Sequence, residues 1–468
     1  MEYSAKQIRF TLAIVMVASF ITPFMSNAIN LAIPSIGEEF GGSQSWLNWV
    51  VSGFLIPYAA FLLPFGHLAD RYGRRRIFLL GTIIIALSAL GCALAPSLPV
   101  LVAFRVVSGI SSAMVFSNTP AILTSVVPPG SRGKMLGLNS AATYVGLSAG
   151  PVLGGLIAGV SWRGIFWFNF LLAFIVVVLT VWKLTGEWKG SSGKTDGLGS
   201  VLCVAAQALM LFGLGSLSKG PGYLVSFLAG AVLIAAFVWY ENRRADALIP
   251  VRYIVHNRPF LFSNFANLIN YSAVFALSYV LSLYLQTALG IDSAASGLIL
   301  LIEPALMAIL SPVTGALSDK VRPTVLAAVG MGLSALGLFF FIFLGVRTPV
   351  ALIIANLGII GLGFALFATP NTNAIMGSVD RSLYGLGSSM MGNMRLLGQS
   401  ISMAIVSLIT TAFIGDAPLG SEAYIAKFMV SLRTCFIVFT VLCSLGVVMC
   451  LLGTRAARAG AQELAAEE

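Results

Sequence analysis

A chain of 468 residues that is 58% hydrophobic and only 9% charged, with a mean hydropathy of +0.95, has too little polar surface for a sizeable soluble domain. Its net charge of +10 does not indicate a nucleic-acid partner, because the Lys and Arg residues lie in short turns between apolar runs rather than on one face or in a tail. Only two histidines, His67 and His256, are present, and the five cysteines fall in apolar segments without metal-ligand spacing, so neither a metal site, a disulfide frame nor a His-based enzyme site is expected.

In chain order, the segment from Met1 to Arg9 is short and mildly basic, and the apolar run after it is long enough to span, so no cleaved signal is expected. Runs of about twenty apolar residues then recur about fourteen times. Seven lie near 10–36, 45–68, 77–95, 100–125, 135–160, 164–182 and 197–217, and seven more near 222–240, 259–289, 294–317, 324–344, 349–369, 385–413 and 428–452. With both termini in the cytoplasm, twenty of the 27 Lys and Arg residues fall inside and five outside, with Arg105 and Arg395 inside spans.

One short motif occurs twice. Gly66-His67-Leu68-Ala69-Asp70-Arg71 returns as Gly315-Ala316-Leu317-Ser318-Asp319-Lys320, each time at the end of an apolar run and about 250 residues apart. Repeated charged turns in two halves of a membrane protein indicate a duplicated bundle that moves something across a bilayer. Two six-helix bundles alone would separate the copies by about 200 residues. The excess accommodates two further helices. The expected fold is therefore an all-α integral membrane protein: a six-helix bundle (1–190), two linking transmembrane helices (191–245) and a second, pseudo-symmetric six-helix bundle (246–468). The basic stretch 241–258 is expected to run along the inner surface and hold anionic headgroups.

These residues resemble the major facilitator superfamily. Gly66-His-Leu-Ala-Asp70-Arg71-Tyr-Gly73-Arg74-Arg75 is similar to its G-x-L-a-D-r-x-G-r-r signature, and Gly150-Pro151-Val152-Leu153-Gly154-Gly155, preceded by Gly146, to its fifth-helix antiporter motif. Arg105 with Gly109 resembles the fourth-helix R-x-x-q-G motif, and about fourteen spans resemble the fourteen-span drug:proton antiporter branch. There are two departures. Met25 stands where that branch carries a first-helix acid, so a proton site there is missing, and Ser108 replaces the usual Gln. The resemblance implies proton-driven export of hydrophobic drugs or other toxic small molecules by alternating access. The alternative is export of one endogenous metabolite, such as an amino acid or peptide-like compound, with proton or sodium coupling. Its implied partners are a small-molecule substrate, protons and the lipid bilayer; no cofactor and no nucleic acid are expected. The expected setting is a bacterial or archaeal plasma membrane, with the chain as a monomer.

The motifs also carry physical expectations. Gly66 and Gly73 give the basic turn its backbone freedom, with Arg71, Arg74, Arg75 and Arg76 in the headgroup region. Asp70 either pairs with those arginines or, as the resemblance implies, latches onto the helix that starts near Gly385. A charge–dipole contact of about 0.3–2 kcal/mol suits a gate that breaks in every cycle, whereas a topology anchor is the plainer role. Asp319 and Gly315 form the second copy. The stripe Gly146, Gly150 and Gly154, with Pro151 and Gly155, packs a neighbouring helix closely; to that ordinary packing the functional reading adds that the packed surface is the seam between the halves. Of the 17 acids only Glu303 lies deep in a span, about 12 Å along its helix, where a carboxyl must be neutral, paired or facing water. Glu303 is thus either a proton site or half of a static pair with Arg395. Arg105 has three options: binding an anionic substrate group, donating to backbone carbonyls or modulating Glu303. Solvation by a central water-filled cavity is equally open to it. Asn27, Asn30, Asn264, Asn267, Asn270, Tyr271, Asn371 and Asn373 are candidates for a polar cavity wall, or for interhelical hydrogen bonds worth about 0.6 kcal/mol each.

Overall fold

The computed structural model describes residues 4–41, 44–190, 196–217, 220–244, 247–414 and 422–467. The proposed boundaries at 191 and 245 fall outside the described residues, as do Lys194 and Lys219. Among the described residues, thirteen helices are long and apolar enough to cross a membrane, and a bent pair makes a fourteenth span. In order these are span 1 (Ala5–Phe40), span 2 (Trp46–Ala60 with Leu62–Tyr72), span 3 (Arg74–Ala93), span 4 (Leu98–Val126), span 5 (Pro129–Val160), span 6 (Trp162–Lys183) and span 7 (Gly197–Leu214). Span 8 is Pro221–Glu241, span 9 Arg258–Ala288, span 10 Ser293–Ser318, span 11 Pro323–Phe341, span 12 Val350–Gly377, span 13 Arg381–Ile414 and span 14 Tyr424–Ala456.

Proline sets where several spans break. Pro64, Pro120 and Pro304 each lack the N–H that would bond to Ala60, Phe116 and Leu300. The helix is interrupted at Phe61, at Ser117–Asn118 and at Leu301 respectively, and in span 2 the two pieces are bent by 47°. Within the first half, span 1 packs on spans 5 and 6, and span 4 on spans 2 and 3; in the second, span 9 packs on spans 13 and 14, and span 12 on spans 10 and 11. The halves meet where span 5 crosses span 10 and where span 13 crosses span 2.

Spans 7 and 8 form a hairpin laid against span 2, with a smaller contact to span 13. Phe212 of span 7 stacks on Trp49 of span 2 at 5.9 Å. Gln207 accepts a hydrogen bond from Asn393 of span 13, which also donates to the Ala59 carbonyl of span 2 at 3.3 Å. The linker therefore covers one of the two seams between the halves. A short helix, Val251–His256, follows it before span 9, where the sequence predicted an inner-surface segment.

Candidate functional site

Each half holds the other by the start of a helix. Asp70, at the end of span 2, accepts hydrogen bonds from the backbone N–H groups of Gly385 (2.8 Å) and Leu386 (2.9 Å) at the start of span 13. Asp319, at the end of span 10, accepts from those of Gly133 (2.7 Å) and Lys134 (3.0 Å) at the start of span 5. Free N–H groups and the positive end of the helix dipole make such termini natural seats for a carboxylate. Spans 2 and 10 are equivalent in the two halves, as are spans 5 and 13, so the contacts are related by pseudo-two-fold symmetry.

The glycine of each motif has a different role from the one expected. Only Gly73 sits in the turn with φ +116°, a conformation that favours glycine. Gly66 lies one turn before Asp70 inside the helix, and a Cβ there would meet the Gly385 carbonyl at 2.6 Å and collide with Ser389. Gly315 and Gly133 face each other in the same way across the other seam, each opposing the other's carbonyl oxygen. The glycines thus let the two backbones come close enough for the acid to reach.

One of the arginines departs from expectation. Arg74 is buried rather than in the headgroup region. Its guanidinium pairs with Asp70 at 2.6 Å and donates to Ser125 Oγ (2.7 Å) and to the Arg381 carbonyl of the second half (2.8 Å). Asp70 therefore does both things the sequence left open: it pairs with a basic residue and caps a helix. Arg71 lies over Tyr72, and Arg75 receives Glu187 at its backbone N–H (3.0 Å). Arg132 adds a clasp not foreseen, donating to the Met376 carbonyl (3.2 Å) and the Tyr384 hydroxyl (3.3 Å). Together these contacts close the end of the molecule where the basic residues gather.

Above that closure lies a small polar cavity of about 50 Å³ lined by Phe116, Thr119, Asn139, Ser140, Thr143, Tyr144, Asn267, Tyr271, Thr372, Met391 and Arg395. That volume takes a water or two and is smaller than the usual pocket for an organic ligand. Arg395 is surrounded by aromatic groups: Tyr271, Tyr58 and Tyr144 are close to it, with the Phe116 and Tyr271 ring centres at 4.8 and 5.7 Å. A cation over π faces and phenol oxygens does not need a carboxylate, and no ion pair joins it to Glu303. The static pair with Arg395, one of the two roles open to Glu303, is not formed in this structure.

Glu303 instead lies in the first turn after the break in span 10, buried, with its carboxyl in hydrogen-bond reach of Ser278 on span 9. Arg105 is separate from both. Its Nε donates to the Val50 carbonyl of span 2 at 2.8 Å and its guanidinium lies 4.4 Å from the Phe54 ring centre, while both Nη atoms are buried without partners. Of the options open to Arg105, donation to a backbone carbonyl is the one this structure uses. The three charges are therefore not one cluster.

Several candidate cavity residues serve as interhelical glue. Of the eight, Asn267 and Tyr271 line the cavity. Asn27 donates to the Leu147 carbonyl (2.9 Å), Asn371 to that of Ser263 (3.1 Å), and Asn373 to Ser318 Oγ (2.9 Å), each joining neighbouring spans. Asn264 bonds within its own helix to Phe260 (3.0 Å) and Asn270 faces Met331 Sδ (3.1 Å). Asn30, exposed, turns back to the Ser26 carbonyl at 3.4 Å. The residues missed were Asn139, Ser140 and Thr143, whose helical spacing beside Tyr144 was a usable signal.

The glycine stripe of span 5 is likewise not the seam. Gly146, Gly150 and Gly154 pack on Phe20, Asn27 and Ala28 of span 1, inside the same half, and Gly155 meets Leu31. The seam uses the earlier glycines of that span, Gly133 and Gly137, against Gly315 and Ser311 of span 10.

The Major Facilitator Superfamily profile matches residues 15–259 and 260–467. The chain belongs to that superfamily. It is 28% identical over 395 residues to the multidrug resistance protein Stp of Mycobacterium tuberculosis (strain CDC 1551 / Oshkosh), covering 82% of this chain and 73% of that protein. It is 25% identical over 404 residues to the riboflavin transporter RibZ of Clostridioides difficile (strain 630), covering 86% and 88%. The solved structure of the human organic anion transporter MFSD10 superposes with a TM-score of 0.69 at 17% identity, over 95% of this chain and 99% of that one, which speaks to fold. The superfamily chain is a multi-pass membrane transporter.

Proposed function

We propose that this transporter is a proton-coupled antiporter that exports hydrophobic drugs or other toxic small molecules by alternating access, acting as a monomer in a bacterial plasma membrane. The observation that carries the alternating-access reading is the pair of reciprocal latches, Asp70 on span 13 and Asp319 on span 5. Each latch can contribute about 0.3–2 kcal/mol as a charge–dipole contact, enough to favour closure yet weak enough to break every turnover. Opening this end requires both acids to leave their helices and the glycine seams to part.

Glu303 is the proton carrier in this account. It sits in an apolar span with a hydroxyl, not a cation, beside it, so it crosses between states most cheaply as the neutral acid. Arg395 and its tyrosines line the substrate path and give it a fixed positive charge. Arg105 has a packing role between spans 2 and 4.

A second reading is favoured by the cavity's lining. Asn139, Ser140, Thr143, Asn267 and Thr372 offer several hydrogen-bonding groups in a small space, which suits one polar metabolite, and RibZ is similar over most of its length. Transport by the purified protein in proteoliposomes separates the two. Drug export predicts that structurally unrelated lipophilic compounds are all moved against an imposed pH gradient and compete. The metabolite reading predicts saturable movement of one compound class, with no competition from the rest.

A further inference from the structure

The linking hairpin has no counterpart in either half, and its basic end holds a side-chain arrangement that the latches and Glu303 do not use. Asp196 stands immediately before span 7 and caps it. Its Oδ1 accepts from the Gly199 N–H at 2.9 Å and from the Tyr240 hydroxyl at 3.3 Å. Glu241 ends span 8, and its Oε2 accepts from the Ile249 N–H at 2.8 Å. One oxygen of each carboxyl is thus supplied with donors. The other two, Asp196 Oδ2 and Glu241 Oε1, are buried and have none among the described residues.

Those two oxygens face the same backbone position. Both hang over Gly199, where an added Cβ would meet Asp196 Oδ2 at 2.8 Å and Glu241 Oε1 closer still. The residues are 7% and 1% exposed. Two ionised carboxylates offer only acceptors and repel, whereas one proton between them supplies the missing donor and removes one of two like charges. Among the described residues, the other titratable or charged groups around the pair are Tyr240, Arg244, whose guanidinium lies 4.8 Å from the Tyr240 ring centre, and the Cys203 thiol; Lys194 and Asp246 lie outside the described residues. None of these donates to the two open oxygens.

We propose that Asp196 and Glu241 bind one shared proton at the basic end of the hairpin, a protonation site distinct from Glu303. The ligand is a proton drawn from the side that the charge bias places in the cytoplasm. The dianionic pair takes up one H⁺ and becomes a monoanion with an O–H···O⁻ bridge, and no other bond changes. The bridge fastens the start of span 7 to the end of span 8, while Glu241 also holds the Ile249 turn that leads into the second half. The same hairpin grips the seam between spans 2 and 13 through Gln207 and Asn393. Loss of the proton at alkaline pH therefore loosens the foot of a strap that lies over a moving joint.

The test is infrared difference spectroscopy of the full-length protein in lipid nanodiscs, reading the carbonyl stretch of a protonated carboxylic acid at neutral pH. The variants are E241Q, D196N and E303Q. The expected result is that E303Q keeps a protonated-acid band, that E241Q and D196N each lose the same amplitude from wild type, and that the band titrates away at alkaline pH. An E303Q spectrum without such a band overturns the proposal without reference to the hairpin variants, so it stands even if one of those fails to fold. A band unchanged in a folded E241Q or D196N protein overturns it as well. A wild type lacking the band but stabilised by sodium would assign the pair to a metal cation and reject the proton.

Discussion

Replacing Asp70 by Asn is expected to open the basic end of the molecule. In the closed state the Asp70 carboxylate accepts from Gly385 and Leu386 of the opposite half and is paired with Arg74. Hydrogen bonds to a charged group contribute about 1.5–3 kcal/mol each. Asn keeps one oxygen for one amide, turns an NH₂ donor toward the other, and carries no charge for the dipole. The closed state then loses about 2 kcal/mol, roughly thirtyfold in the closed-to-open ratio. Arg74 still reaches the Arg381 carbonyl, so some clasp remains. The assay is labelling of a T372C cysteine, which lines the cavity above the closure, by a membrane-impermeant thiol reagent in inside-out vesicles. The five native cysteines are buried and should stay silent. D70N should raise the T372C labelling rate by ten- to a hundredfold (about 1.4–2.8 kcal/mol). An unchanged rate would refute the claim that this contact holds the gate.

Three other changes test neighbouring parts of the account. D319N should act in the same direction but less strongly, since Asp319 is only half-buried and, among the described residues, forms no ion pair like that of Asp70 with Arg74; T372C labelling reads this too. G137V should separate spans 5 and 10, because a Cβ at Gly137 collides with the Ser311 carbonyl; transport should fall more than about tenfold (1.4 kcal/mol) while the protein still reaches the membrane. R105M removes a buried cation whose Nη atoms lack partners, and an apolar group of similar length is often neutral or stabilising there. Its thermal midpoint should therefore hold or rise, and a marked fall would show that Arg105 does more than pack against Val50 and Phe54.

The spans and the duplicated turn were legible because hydrophobic length and charge bias are properties of the chain itself. Asp70 and Asp319 could be found because the repeat marks them twice. What the sequence did not carry was which helix each side chain faces. Gly146, Gly150 and Gly154 announce a close neighbour, yet the pattern fits span 1 as well as the seam. Asn371 and Asn373 bond to Ser263 and Ser318 of neighbouring spans, partners that their positions in the sequence do not reveal. Arg395 and Glu303 match in depth and in opposite charge, yet depth does not say that three tyrosines stand around the arginine. Asn139, Ser140 and Thr143 went unnoticed because single polar residues in span 5 were overshadowed by its glycines.

The central claim is that Glu303 carries the coupled proton. The measurement uses everted membrane vesicles with an acid-inside pH gradient reported by a quenched dye, challenged with lipophilic cations, neutral drugs and amino acids. The account predicts that at least one compound discharges the gradient with wild type and not with E303Q, while E303Q still exchanges that compound down its own gradient. Equal discharge by both proteins would contradict it and leave Glu303 as a buried structural group beside Ser278.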